Sequence, residues 1–316
     1  MSLAYFLRRL GAVLAVLCIV SVAVFAITTI LPGNAALMIL GENASAENLA
    51  AMERQLGLDQ PVLVQYLHWV GGVLHGDFGT SLRLQLPVAE VVGEAFWNSM
   101  ALAAIALVAV TVIAIPLGTL AALKRGTGWD LGIGLISYVG TALPEFVTAT
   151  LLLVFFADPV RQLLPAGGFV SPADDFGGFI EHAILPSATL GLILMAHISR
   201  QVRSELSEVL TSDYVRAARL KGVPEGRVIR RHALPNSLAP AVAVISLDIG
   251  YLLGGIIVVE EIFAWPGLGR LLIYALQNRD LPVIQAVTLL LAVVYAISNL
   301  IADLIIAKLD PRVRYA

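Results

Sequence analysis

Six long apolar runs dominate the chain, near residues 9–31, 97–123, 131–157, 182–202, 238–260 and 282–307. An α-helix rises 1.5 Å per residue, so about 20 apolar residues cross the roughly 30 Å hydrocarbon core of a bilayer. Each of the six runs is long enough to do so. The pattern predicts an all-α polytopic membrane protein with six transmembrane helices.

Two polar interruptions stand out between these runs. Residues 32–95 form the longest soluble piece. Within it, Ser45 is an N-cap candidate for a short amphipathic helix that Gly57 would end. A second helix is predicted near 61–74, where Leu63, Tyr66, Leu67 and Val70 recur at helical spacing. Neither can build a core alone, so both are expected at the membrane rim. We find no internal repeat and no low-complexity linker, so 1–316 reads as one domain.

The other interruption, 204–235, is charged. Residues 211–237 read "TSDYVRAARLKGVPEGRVIRRHALPNS" and carry six Arg or Lys. From Ser204 to Lys221 most residues are good helix formers with apolar positions three or four apart. Gly222 offers a left-handed end position that residues with a Cβ resist. Pro224 suits the first turn of a new helix, which should stop ahead of Pro235. Arg227, Arg230 and Arg231 would share a face of that second helix. The expected shape is two short helices joined by a tight bend. The positive charges alone could serve lipid headgroups. The small pair Ala217–Ala218, then Gly222, then Leu234–Pro235, better fits a surface that a partner approaches closely.

Composition supports a membrane protein: 58% of residues are hydrophobic, 14% are charged, and mean hydropathy is +0.86. A soluble domain would carry roughly 25% charged residues. Arg8 and Arg9 precede the first run as in a signal peptide, but the run is longer than an h-region and lacks a small-residue cleavage site, so it reads as a retained helix. With the N-terminus inside, the outer segments hold only Arg54, Arg83, Arg161, Arg270 and Arg279, and the other fifteen of the 20 basic residues are inside. That asymmetry places both termini in the cytoplasm. Cys18 is the only cysteine, and the five histidines show no metal-ligand spacing, so neither a disulfide framework nor a metal site is expected.

Inside the apolar runs, Asp248 is the costliest residue. An acid at that depth costs about 2.5–3.5 kcal/mol on insertion scales, so it should face protein or a wet cavity. It is the first candidate to line a pathway, with a structural hydrogen-bonded role as the alternative. It lies roughly 200° around the helix from Ser246, which with Gly250 and Gly254 forms a small-residue packing stripe. Glu145, after Pro144, is a weaker candidate of the same kind. Pro116, Pro144, Pro186 and Pro240 are either packing features or hinges. Trp69, Trp97, Trp129 and Trp265 fall at helix ends and loops, as an interfacial aromatic belt predicts. No G-x-x-x-x-G-K-[ST] pattern occurs, so no nucleotide site is expected.

"AARLKG", nine residues and "HALP" resemble the coupling loop of importer-type ABC transporter permeases. Ala217, Ala218 and Gly222 match its Ala-Ala-x-x-x-Gly core, and Leu234–Pro235 match its end. Arg216 stands at the motif's Glu position and His232 at its Ile position, as in the subgroup that imports dipeptides, oligopeptides and nickel. "GLDQPVLVQYLHWVGGVLHGDFGTSL", "HAILPSATLG", "EEIFAWPGLGRLL", "NRDLPVIQAV" and "NLIADLIIAKLDPRVRY" resemble the same subgroup, so the likeness runs along the whole chain. It implies an importer subunit of the bacterial cytoplasmic (inner) membrane working by alternating access. The implied partners are a second permease, two ATP-binding subunits inside and a solute-binding protein outside. ATP and Mg would be held by those ATPases, no cofactor by this chain, and nucleic acid plays no part. The loop residues implied in coupling are Tyr214, Arg216, Ala217, Ala218, Lys221, Gly222, Arg227, Leu234 and Pro235. A di- or oligopeptide is the first expectation for cargo, with nickel or a nickel chelate second. A stand-alone carrier using Asp248 as a proton relay is the alternative of another class.

Overall fold

The computed structural model describes residues 3–30, 45–55, 58–157 and 163–309. The helix end expected at Gly57, residues 32–44 of the long loop, Arg161, and the C-terminal Arg312 and Arg314 lie outside them. The described chain is helical: α1 (Leu3–Ile30), α2 (Ala46–Gln55), α3 (Val62–Leu74), α4 (Val88–Leu123), α5 (Gly128–Ala142), α6 (Glu145–Phe156), α7 (Phe176–Val209), α8 (Asp213–Leu220), α9 (Glu225–Val228), a π turn (Ile229–Ala233), α10 (Leu234–Ile262), α11 (Leu268–Asn278) and α12 (Leu281–Leu309).

Five segments are single helices long and apolar enough to cross a membrane: Leu7–Thr29, Val88–Leu123, Phe176–Val209, Pro240–Ile262 and Leu281–Ile306. The run predicted as one span over 131–157 is instead two helices, α5 and α6, meeting at 114°. The cause is local. Pro144 bars its predecessor from helical backbone, and Leu143 is accordingly extended at φ −90°, ψ 127°. Counting the bent pair as one span gives up to six.

Residues group into two compact units, one built on Met100–Trp265 and the other on Leu7–Ser99 with Pro266–Ile297. In the first, α7 is the central helix, with fifteen of its 34 residues buried. Its neighbours come close because glycines face it. A Cβ on Gly118 of α4 would lie 2.5 Å from the Ser199 carbonyl oxygen, and one on Gly140 of α5 would lie 3.0 Å from that of Leu192. The packing stripe expected on α10 is only partly formed: Ser246 and Gly250 are buried, but Gly254 is exposed. Its neighbour Gly255 makes the tight contact. Trp265 also departs from expectation. It is fully buried, packed edge-on against Phe169 and near Phe179. The chain reaches it through a left-handed Ala264, φ 54°, which caps α10. Trp97 and Trp129 are exposed, as an aromatic belt requires.

In the second unit, Ser45 caps α2, its Oγ accepting from the Asn48 amide at 3.2 Å. On α3, Tyr66 bonds Ser21 of α1 at 2.9 Å, and the Tyr66 and Trp69 rings pack on Phe25. Its core is Val88, Val92 and Ala95 of α4 against Leu268 and Ala275 of α11 and Val283, Ile284 and Val287 of α12. The buried Asp280 organises the unit. Its carboxyl accepts from the Ser81 hydroxyl and from the Leu82 and Arg83 amides. Its own amide donates to the Ala275 carbonyl at 2.8 Å, closing α11 behind a left-handed Arg279. One side chain thus ties the 79–87 loop to the α11–α12 junction, joining "GDFGTSL" to "NRDLP". Asp280→Ala strands three donors in a buried place and should destabilise the unit by roughly 3 kcal/mol. The lowered melting temperature of the purified protein in detergent checks this, and an unchanged melt contradicts it.

Candidate functional site

The charged interruption forms an elbow whose construction differs from the sequence reading in two places. The first helix does not run through from Ser204. α7 ends at Val209, the chain turns at 210–212, and α8 starts afresh at Asp213. The hydroxyls of Thr211 and Ser212 bond back to the Glu208 and Val209 carbonyls, at 2.7 and 2.6 Å, which favours the turn over continued helix. Nor does the second helix stop ahead of Pro235. α9 passes through the π turn at 229–233 into α10, which contains Pro235. A π turn moves the hydrogen-bond register from i−4 to i−5, so the chain absorbs a proline that would clash with an α-helical carbonyl.

Gly222 does take the left-handed backbone, at φ 74°. Its amide bonds the Arg219 carbonyl at 3.0 Å and that of Val223 bonds the Ala218 carbonyl at 3.2 Å. This is the Schellman closure that a C-terminal glycine permits. Pro224 then precedes Glu225, the first residue of α9. The bend is clasped by Arg219, whose guanidinium reaches the Glu225 carboxyl at 2.7 and 3.0 Å and the Leu210 carbonyl at 3.1 Å. No sequence motif marks this clasp, although an acid and a base either side of a Gly-x-Pro bend are a usable signal.

Val215, Val228 and Ala233 are buried beneath the elbow against Leu206 of α7 and Ala122 of α4, with Ala218 and Leu234 packed partly onto them. The remaining coupling candidates point outward. Tyr214, Arg216, Ala217, Lys221, Gly222, Arg227 and Pro235 are exposed. A Cβ on Gly222 would meet nothing within 4 Å. Tyr214 accepts from Asn236 at 3.3 Å across the elbow. Arg227, Arg230 and Arg231 are all exposed. The arrangement presents small residues and positive charge on a surface held from behind by its own apolar core.

The two acids chosen as pathway candidates join one polar cluster within the first unit. Asp248 of α10 is 6% exposed and its Oδ1 lies 3.0 Å from Nδ1 of His197 on α7. Glu145, in the first turn of α6, accepts at 2.9 Å from the hydroxyl of Tyr251 on α10. The Tyr251 and His197 rings meet edge-on at 6.1 Å between centroids, closing the chain Glu145–Tyr251–His197–Asp248. In the sequence His197 is one of five scattered histidines, and no motif marks Tyr251. Tyr251 was findable, since it lies three residues after Asp248 on the same helical face. The meeting of α6, α7 and α10 was not.

Another buried acid, Asp130, receives Arg203 of α7 at 2.5 and 2.8 Å and the Gly126 amide at 3.0 Å, pinning the 124–127 turn to the central helix. In the second unit a cleft of about 350 Å³ is lined by Val91, Glu94, Pro266, Arg270, Leu271 and Tyr274, among others, none of them a candidate from sequence.

The elbow clasp yields a pH prediction. Its hydrogen bonds with Arg219 hold the Glu225 carboxyl below the usual carboxylate range. A depressed carboxyl stabilises the fold above its ordinary pKa of about 4.3 and loses that contribution as pH falls through the folded value. Amide exchange over 219–226 should therefore rise as pH drops below about 4, relative to an unstructured reference peptide at the same pH. Glu225→Gln should exchange faster at neutral pH and show no acid step. Identical profiles for the two proteins would contradict the clasp.

Comparison with known proteins gives a consistent result over almost the full length. Residues 114–315 match the family described as binding-protein-dependent transport system inner membrane component. Residues 2–112 match the N-terminal region of the same kind of component. A dipeptide transport system permease protein of Escherichia coli is 39% identical, with 99% of each chain covered. A glutathione transport system permease protein of Salmonella typhimurium is 39% identical over 98% of this chain and 99% of its own. A probable peptide ABC transporter permease protein of Sinorhizobium fredii is 35% identical over 98% and 99%.

Proposed function

The chain belongs to the binding-protein-dependent transport system inner membrane components, and we propose that its cargo is a short peptide and that its elbow docks an ATP-binding subunit. It is a multi-pass permease of the bacterial inner membrane and a transport subunit of an ABC importer, not an enzyme. The relatives named above are called peptide, dipeptide or glutathione permeases.

In this reading α5 and α6 count as one span, giving six, and both chain ends lie in the cytoplasm as the excess of inner Arg and Lys directs. The elbow is then cytoplasmic. The observation that carries the proposal is its build: exposed Ala217 and open Gly222 beside exposed Arg216, Lys221 and Arg227, backed by a buried core and continuous with α10. A stand-alone proton-coupled carrier has no use for a rigid, outward-facing basic elbow. An ATPase that closes on ATP does, because a stiff contact converts its closure into movement of a membrane helix. A second permease subunit, two such ATPases and an extracytoplasmic solute-binding protein complete the machine. Asp248 and Glu145 line the path.

Co-purification in detergent from the native host tests the docking. An ATP-binding subunit should accompany the wild type, and Gly222→Trp and Arg227→Glu should each lose most of it. Gly222→Trp fills the open approach and strains a left-handed backbone, whereas Arg227→Glu reverses one exposed charge. A wild type that emerges alone overturns the docking reading.

A further inference from the structure

The cluster on α6, α7 and α10 contains an incomplete set of polar contacts. Asp248 has one carboxyl oxygen bonded to His197, while the other, Oδ2, is buried with no hydrogen-bond partner. A polar atom buried without a partner has lost its hydration and gained nothing in return, which is destabilising. A membrane protein keeps such a residue where something else fills its valence. The cluster also opens to one side of its unit: the His197 side chain is 33% exposed and Tyr251 is 45% exposed. Tyr251 lies midway along the apolar segment Pro240–Ile262. Hydrocarbon is a poor neighbour for imidazole, phenol and carboxyl together, so that side faces a polar space or a ligand.

The donors and acceptors left over define the ligand. The Tyr251 hydroxyl already donates to Glu145, and the His197 ring nitrogen nearest Asp248 is engaged. What remains are acceptors: the second Glu145 oxygen, the face of the Tyr251 ring, Nε2 of the neutral His197 ring, and Asp248 Oδ2, which a ligand reaches only by displacing the side chains that bury it. Two carboxyl groups around an aromatic ring suit a compact cation with several N–H donors. Gly255, one turn beyond Tyr251, keeps this geometry. A Cβ there would lie 3.2 Å from Glu145 Oε1 and would press on the carboxyl.

We propose that the Glu145–Tyr251–His197–Asp248 cluster binds the terminal ammonium group of a peptide in transit. The inference rests on the peptide reading above and deepens it. A zwitterionic peptide crossing a low-dielectric region needs countercharge for its ammonium, and the cluster supplies it where the solute-binding protein no longer can. The permease itself then discriminates for a free amino terminus.

Saturation-transfer NMR tests the site on the full transporter in nanodiscs, without the solute-binding protein. The probes are dialanine and propionyl-alanine, the same molecule lacking the amine. The wild type should transfer saturation to dialanine at least fivefold more strongly than to propionyl-alanine. Asp248→Asn and Glu145→Gln, each of which removes a carboxylate, should reduce the preference to less than twofold. Ser246→Ala, on the same helix, should keep it. Retained ATP hydrolysis stimulated by the solute-binding protein shows that each variant is assembled, and the conservative Asp248→Glu should restore part of the preference. A preference unchanged in assembled Asp248→Asn, or absent from the wild type, overturns the site. Dialanine uptake by wild-type proteoliposomes separates the two readings. Uptake without a cluster-dependent preference removes the site alone, whereas no uptake of any short peptide removes the cargo reading and the site with it.

Discussion

Hydrocarbon offers the polypeptide backbone no hydrogen-bond partner, and among the described residues the helices that enter it close their ends on themselves. The breaks occur where a side chain or a special residue can close the accounts locally. α8, α10 and α11 each end in a left-handed residue, Gly222, Ala264 and Arg279, which folds amides back onto the last carbonyls. Only one of the three is a glycine. At the other two, a residue with a Cβ is held at positive φ, a cost of the order of 1–2 kcal/mol. Around them the fixed surroundings are the fully buried Trp265 after Ala264 and the fully buried Asp280 after Arg279.

The same constraint explains how the polar clusters differ. Asp280 and Asp130 are satisfied, by three donors and by a guanidinium with an amide, and they act as structural ties. Asp248 is not satisfied in full. Buried acids of one residue type thus separate into satisfied ties and the acid proposed above as a binding group by counting which oxygens have partners. Burial alone does not separate them.

Much of this was legible in the chain. Apolar run length gave the helical membrane class, and Gly222 with Pro224 gave the elbow, because in both cases the information is local. The errors arose where local signals compete or where distant segments meet. The length of the apolar run over 131–157 signals one span, whereas Pro144 within it splits the run into two helices. Pro235 reads locally as a terminator, but a register shift of one residue absorbs it. Trp265 looked interfacial because of its place at a helix end, and only packing against Phe169 and Phe179 reveals it as core. His197 carries no local mark at all. Its meaning comes from Asp248, 51 residues away in sequence.

The π turn between the elbow and α10 has a mechanical consequence. Because no flexible linker intervenes, Leu234 to Asp248 is one continuous helical rod of fourteen steps, about 21 Å long, in which Pro240 removes one ladder hydrogen bond. Pivoting that rod by ~10° about the π turn would carry Asp248 sideways by roughly 4 Å. That is more than a hydrogen-bond length, enough to part Asp248 from His197. A small displacement at the water-facing end is thereby geared up into the making or breaking of one contact deep in the bilayer.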